Sequence, residues 1–104
     1  MKKYTRKKGV TSVEATKNTG TIASKRKGLD KLVADMDAVE IRHEKGRPLH
    51  IRWWSGPHNG RLRWNDGNYL VLKPDDEINA GYKPLEFAAA DFEDRYELEA
   101  GPPV

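Results

Sequence analysis

Arginine, histidine and tryptophan alternate with aliphatic residues through LHIRWWSGPHNGRLRWNDGNYLVL, Leu49–Leu72, where all three tryptophans and two of the three histidines lie. Guanidinium groups bind phosphate oxygens, and indole and imidazole rings offer flat faces on which bases stack. Arg52, Arg61 and Arg63, with Trp54 and His50 beside them, are therefore suited to a phosphate-bearing, base-bearing ligand. A second cationic run, KKYTRKK, supplies Lys2, Lys3, Arg6, Lys7 and Lys8, the kind of basic tail that follows a nucleic-acid backbone. The candidate nucleic-acid or phosphate-binding set is thus Lys2, Lys3, Arg6, Lys7, Lys8, Arg52, Trp54, Arg61 and Arg63. The competing reading of the arginines is a solvated sheet face whose stems cover Leu70 and Leu72.

Other chemistry finds no support in the spacing. His43, His50 and His58 stand seven and eight residues apart, which matches no helical or hairpin metal-ligand pair, and the chain has no cysteine to assist. Asp75-Asp76-Glu77 lacks the alternating ligands of a calcium loop and reads as a solvated turn. Glu86, Asp91, Glu93 and Asp94 fall in an acidic stretch and are expected to face solvent. There is no Ser-His-Asp spacing, phosphate loop or dinucleotide fingerprint. No enzyme, metal or cofactor is expected.

The elements that must position the candidate residues follow from periodicity. Leu49, Ile51 and Trp53 point one way along a strand, and His50, Arg52 and Trp54 the other. Ser55–Gly60 breaks this run. Asp66-Gly67 reads as a tight hairpin, which would set Trp64 opposite Tyr69 and Leu62 opposite Val71. The result is a three-stranded meander whose outer face mixes Arg61 and Arg63 with Leu70 and Leu72. Upstream, Leu29, Leu32, Val33 and Met36 recur at helical spacing, which predicts a helix over Leu29–Ala38 as cover. Val39, Ile41 and His43 alternate as a strand ending at Lys45-Gly46. Downstream, Pro84 opens a short helix, Leu85–Phe92, and Tyr96–Leu98 forms a last strand.

The fold class is α+β: a small antiparallel sheet, the meander plus flanking strands, packed on one or two short helices. Residues 1–27 read as a basic flexible N-terminal arm, within which Thr11–Val13 or Thr19–Ala23 could add a short edge strand. Residues 28–100 form a single α+β domain, and 101–104 a tail. With 104 residues and a hydrophobic fraction of 37%, the core must be modest. The net charge of +3 hides segregation: Met1–Leu32 holds ten Lys/Arg against two acids, and Asp75–Glu99 nine acids against Lys83 and Arg95. No apolar run is long enough to span a membrane, and no apolar region follows the basic N-terminus as a secretory signal would require. Cytoplasmic residence, with no membrane partner, is the expectation.

Pro84-Leu85-Glu86-Phe87, then Ala90-Asp91-Phe92-Glu93-Asp94 and Tyr96-Glu97-Leu98, resemble the ending of a family of small phage and prophage proteins. That family closes with an aromatic residue, a short helix, an acidic pair and Trp-Glu-aliphatic. It includes the Thoeris anti-defence proteins, oligomeric sponges that sequester a cyclic ADP-ribose-type signal. The helix at Leu29–Ala38 and the basic strand after it fit the same plan. Tyr96 stands where the family has tryptophan, and the basic arm is extra. The resemblance implies a phage-type accessory protein acting in host cytoplasm, with self-association in prospect. The leading expectation is a non-enzymatic protein that binds nucleic acid through the arm and the Arg/Trp face. The alternatives are a sponge for a cyclic nucleotide immune signal, and an inhibitor of a host defence protein or host enzyme.

Overall fold

The computed structural model describes residues 1–9 and 11–99; Val10, residue 100 at the end of the expected domain and the 101–104 tail lie outside the described residues. The elements are β1 (Lys2–Arg6), β2 (Ser12–Lys17), α1 (Ile22–Asp35), β3 (Ala38–Arg42), β4 (Leu49–Ser55), β5 (His58–Trp64), β6 (Tyr69–Pro74), β7 (Tyr82–Phe87), α2 (Ala89–Arg95) and β8 (Tyr96–Leu98). They form a small α+β fold with two antiparallel sheets, one of order β7-β6-β2-β1-β8 and one of order β3-β4-β5. Among the described residues, no helix is long and apolar enough to cross a membrane.

Two cores flank the larger sheet. Between the sheets, Leu70 and Leu72 of β6 pack with Leu32 of α1, with Met36 just past its end, and with Leu49, Ile51, Trp53 and Trp64 of the smaller sheet. On the far side, Tyr69 and Val71 pack with Val13 and Ala15 of β2 and with Phe92 of α2. The Phe92 ring stacks on Tyr69 at 4.2 Å and on Tyr96 at 4.8 Å between centroids. Helix α1 lies close enough to both sheets that a Cβ on Gly28 would meet Leu70 at 2.7 Å and Trp64 at 2.9 Å. Glycine lowers helix propensity, but here it permits the contact.

Several expectations are corrected. The segment read as a flexible arm is built into the fold: β2 is the middle strand of the larger sheet, and Val13 and Ala15 are buried. Small and β-branched residues interleaved with polar ones suffice there, because both neighbours supply the ladder. Helix α1 starts at Ile22, well before Leu29, where the Thr21 hydroxyl accepts from the Ser24 N–H at 3.1 Å. This first part is held by the cap rather than by burial, since Ile22 is exposed, so no apolar stripe announces it. The expected helix over Leu85–Phe92 is a strand followed by a helix beginning at Ala89. Pro84 sits in β7, an edge strand, where a missing N–H is tolerated.

The hairpin at Asp66-Gly67 is also corrected. Gly67 has φ +88°, but among the described residues no non-glycine has positive φ, so Asp66 lacks the conformation a type I′ hairpin demands. A turn with positive φ at its second central position alone splays the strands it joins, so β5 and β6 enter different sheets. The turn is secured from outside. The buried Asn18 accepts from the Gly67 N–H and donates its own N–H to the Asn68 carbonyl, and Glu86 accepts from Asn65 and Asn68. The meander is therefore β3-β4-β5, one strand earlier in the chain than expected, and Leu70 and Leu72 are core residues rather than neighbours of Arg61 and Arg63.

Deleting Met1–Lys17 removes the middle strand and one of its neighbours. The truncated chain is expected to lose its cooperative thermal transition and to bind a hydrophobic dye. A retained sharp transition would show that the arm is dispensable after all.

The Tyr69 hydroxyl, which donates to Glu93 at 3.1 Å, is pushed up from 10.0 to about 12, first by burial and then by that bond. Because the folded value is raised, its stabilisation is complete below the ordinary tyrosine value and is lost as pH rises through the folded one. Urea unfolding of the wild type and Tyr69→Phe from neutral pH to about 12 is expected to show a stability difference that shrinks at the alkaline end. A constant difference would contradict this.

Candidate anion-binding face

Strand β4 alternates as its sequence requires. Leu49, Ile51, Trp53 and Ser55 are buried, while His50, Arg52 and Trp54 occupy the outer face. The strand registers set Arg42 and Arg63 on either side of His50, Glu40 and Arg61 on either side of Arg52, and Ala38 and Asn59 on either side of Trp54. Successive rows on one face of a strand lie roughly 7 Å apart. The face carries a shallow, open hollow of about 610 Å³ among Glu40, Arg42, His50, Arg52, Arg61 and Arg63. The Arg52 guanidinium lies over the Trp54 ring at 4.7 Å from its centroid, which takes up one face of the indole.

Of the nineteen lysines and arginines of the chain, four are in ion pairs among the described residues, and none of the four lies on this face. Lys17 pairs with Glu93, Lys25 with Asp66, Lys31 with Asp35 and Arg47 with Glu44, at 3.1 to 3.9 Å. Among the described residues, none of Arg42, Arg52, Arg61 and Arg63 has such a partner. Arg52 stands directly opposite Arg61, a cross-strand arrangement of like charges that destabilises a sheet unless an anion lies between them. Glu40, on the edge strand, is the one acid in these rows.

The inner face fixes the outer one. Trp64 is fully buried and its indole N–H donates to the Asn68 carbonyl at 3.0 Å. The β4–β5 turn is tied to the end of α1, where Asp37 accepts from the Gly56 N–H at 2.7 Å. Residues facing outward from these strands therefore have little freedom to turn inward.

Of the nine candidate residues, the structure brings together Arg52, Trp54, Arg61 and Arg63. Lys2, Lys3 and Arg6 lie in β1 and Lys7 and Lys8 follow it, so these five belong to the other sheet, beside β8 with its Glu97. Arg42 is the cation of this face that sequence reasoning did not include. Its signal was the alternation of Glu40 and Arg42 against Val39 and Ile41, with the pairing of β3 and β4 not drawn. The three histidines are distributed between the arginine face, the loop after β3 and the start of β5, and His50 lies between two arginines. Among the described residues, no group of three metal-ligating side chains occurs. Glu86, expected in solvent, instead braces the β5–β6 turn, and Glu93 accepts from Tyr69 and Lys17.

Compared with models of known protein families, with curated proteins and with solved structures, the chain matches none.

Truncating Trp64 to alanine should destabilise the fold by about 3–5 kcal/mol, as large buried aromatics do. Trp54→Ala, on the half-buried outer side, should cause a far smaller loss. Chemical denaturation of both variants measures the contrast, and equal losses would mean that the outer face is covered.

Proposed function

We propose that this protein is a non-enzymatic binding protein whose ligand is single-stranded nucleic acid, held on the outer face of β3-β4-β5. The observation that carries the reading is the direct opposition of Arg52 and Arg61, with Arg42 and Arg63 in the adjacent row, unrelieved by any ion pair among the described residues. Like charges so placed are stabilised by a bound polyanion. Two cationic rows along the strands suit successive phosphates, and the exposed remainder of Trp54 with His50 suits bases in the sequence-tolerant manner of single-strand binders. The N-terminal cations, on the other sheet, would contribute only long-range attraction.

A second reading is supported by the concavity. Its volume of about 610 Å³ lies in the range of small-ligand sites, so a cyclic mononucleotide of the sponge type is the alternative ligand. The phage-type accessory role implied by the resemblance accommodates either ligand. The alternative of a host-protein inhibitor has less to recommend it, since Glu86 and Glu93 of the acidic third are engaged internally.

Titration with a short oligonucleotide at two salt concentrations tests the reading. Affinity should fall steeply with salt as phosphates release counterions. Arg61→Ala with Arg63→Ala should flatten the slope by about one unit per lost contact, and Trp54→Ala should weaken binding by roughly 1–3 kcal/mol with little change of slope. Tight, stoichiometric and only mildly salt-sensitive binding of a cyclic nucleotide would favour the sponge. Absence of oligonucleotide binding at low salt would overturn the leading reading.

A further inference from the structure

Strand β3 is an outer strand of the smaller sheet and pairs only with β4, so one side of its backbone has no ladder. All its residues except Val39 are exposed, so nothing among the described residues covers that edge. Such an edge invites another strand. Ile41 of β3 is one of the large apolar side chains left in solvent, 39% exposed.

The sequence of β3 selects its own partner. Two copies meeting antiparallel about a two-fold axis keep both arginine faces on the same side only if a residue of β3 faces itself across the axis. Centring on Glu40 opposes two carboxylates, centring on Arg42 opposes two guanidiniums, and centring on Ala38 or Val39 matches no charge within β3. Centring on Ile41 opposes the two isoleucines and sets Glu40 of each copy against Arg42 of the other, so that both charges are matched twice. We propose that β3 is a homodimerisation edge and that a second copy of this chain occupies it in the Ile41-centred register.

The product is a six-stranded sheet of order β5-β4-β3-β3-β4-β5, roughly 24 Å across at the usual strand spacing. Glu40, the one acid among the arginine rows, and Arg42 of the other copy then neutralise each other, which leaves Arg52, Arg61 and Arg63 of each copy as the free cations. The two Arg52–Arg61 rows become wings of one surface. That the merged surface takes a longer strand than either half rests on the nucleic-acid reading; the dimer itself does not.

Sedimentation equilibrium over a range of protein concentrations tests the dimer, with circular dichroism to confirm that each variant folds. The wild type should approach twice the 11.8 kDa of one chain as concentration rises. Glu40→Arg alone and Arg42→Glu alone each convert matched charges into like pairs, and each should raise the dissociation constant by about 10-fold or more. The double exchange, Glu40→Arg with Arg42→Glu, restores both pairs and should return the dimer to near wild-type strength. A wild type that stays monomeric at every concentration overturns the proposal. So does a dimer indifferent to the single reversals, or one that the double exchange fails to rescue. Because sedimentation is read without ligand, failure here leaves the salt-dependent binding of a short oligonucleotide to stand or fall by itself.

Discussion

Tyr69–Leu72 is withdrawn from water on both faces at once, and the rest of the molecule is placed by that fact. Leu70 and Leu72 enter the core between the sheets, and Tyr69 and Val71 enter the core under α2. Burying each such side chain contributes about 1.5–3 kcal/mol, so one short strand joins two apolar clusters that would otherwise be separate small layers. Its neighbours β2 and β7 are fixed by backbone pairing, α1 by the contact of Gly28 with Leu70 and Trp64, and α2 by the stacking of Phe92 on Tyr69. The smaller sheet has its inner face committed to the same core. Its outer face is consequently left to water and ligand.

For β6 to be enclosed in this way, the chain must leave the smaller sheet after Trp64 and enter the larger one by Tyr69. Asn18, from the far end of β2, and Glu86, from β7, supply the hydrogen bonds that a hairpin ladder would otherwise have supplied to the turn. A buried asparagine is tolerable because its side-chain oxygen accepts from the Gly20 N–H at 2.9 Å and its backbone is bonded on both sides. The turn is thus a product of tertiary structure, and its local sequence alone would equally have served a hairpin.

That explains which parts were legible in the sequence. The α+β class, the opposite orientations of Trp53 and Trp54, the strand after α1 and the strand at Tyr96 all follow from local alternation, and local alternation was correct there. YLVL is different: alternation cannot distinguish a strand buried on one face from one buried on two, and only the arrival of β2, α1 and α2 decides it. β2 was legible only as a short edge strand at Thr11–Val13, and not as the middle strand Ser12–Lys17, because SVEATK sits among lysines and Val13 and Ala15 bury little bulk even when fully enclosed. On the site, the outward set of β4 and β5 was readable from periodicity. The contribution of Arg42 was not, because it depends on a pairing between β3 and β4.

Charge is sorted by the same topology. The basic N-terminus and the acidic C-terminal third look like two opposed surfaces in the sequence. The fold lays them side by side: β1 pairs with β8, so that Thr5 faces Glu97 and the Thr5 hydroxyl donates to Glu99, while Lys17 reaches Glu93. Part of the conspicuous charge of the chain is therefore balanced in the larger sheet, although Lys2, Lys3, Arg6, Lys7 and Lys8 have no ion-pair partner among the described residues. The middle segment, less conspicuous and poor in acids, has nothing comparable laid against it. A net charge of only +3 thus coexists with a local concentration of arginine on β3-β4-β5, at the sheet whose outer face the core leaves bare.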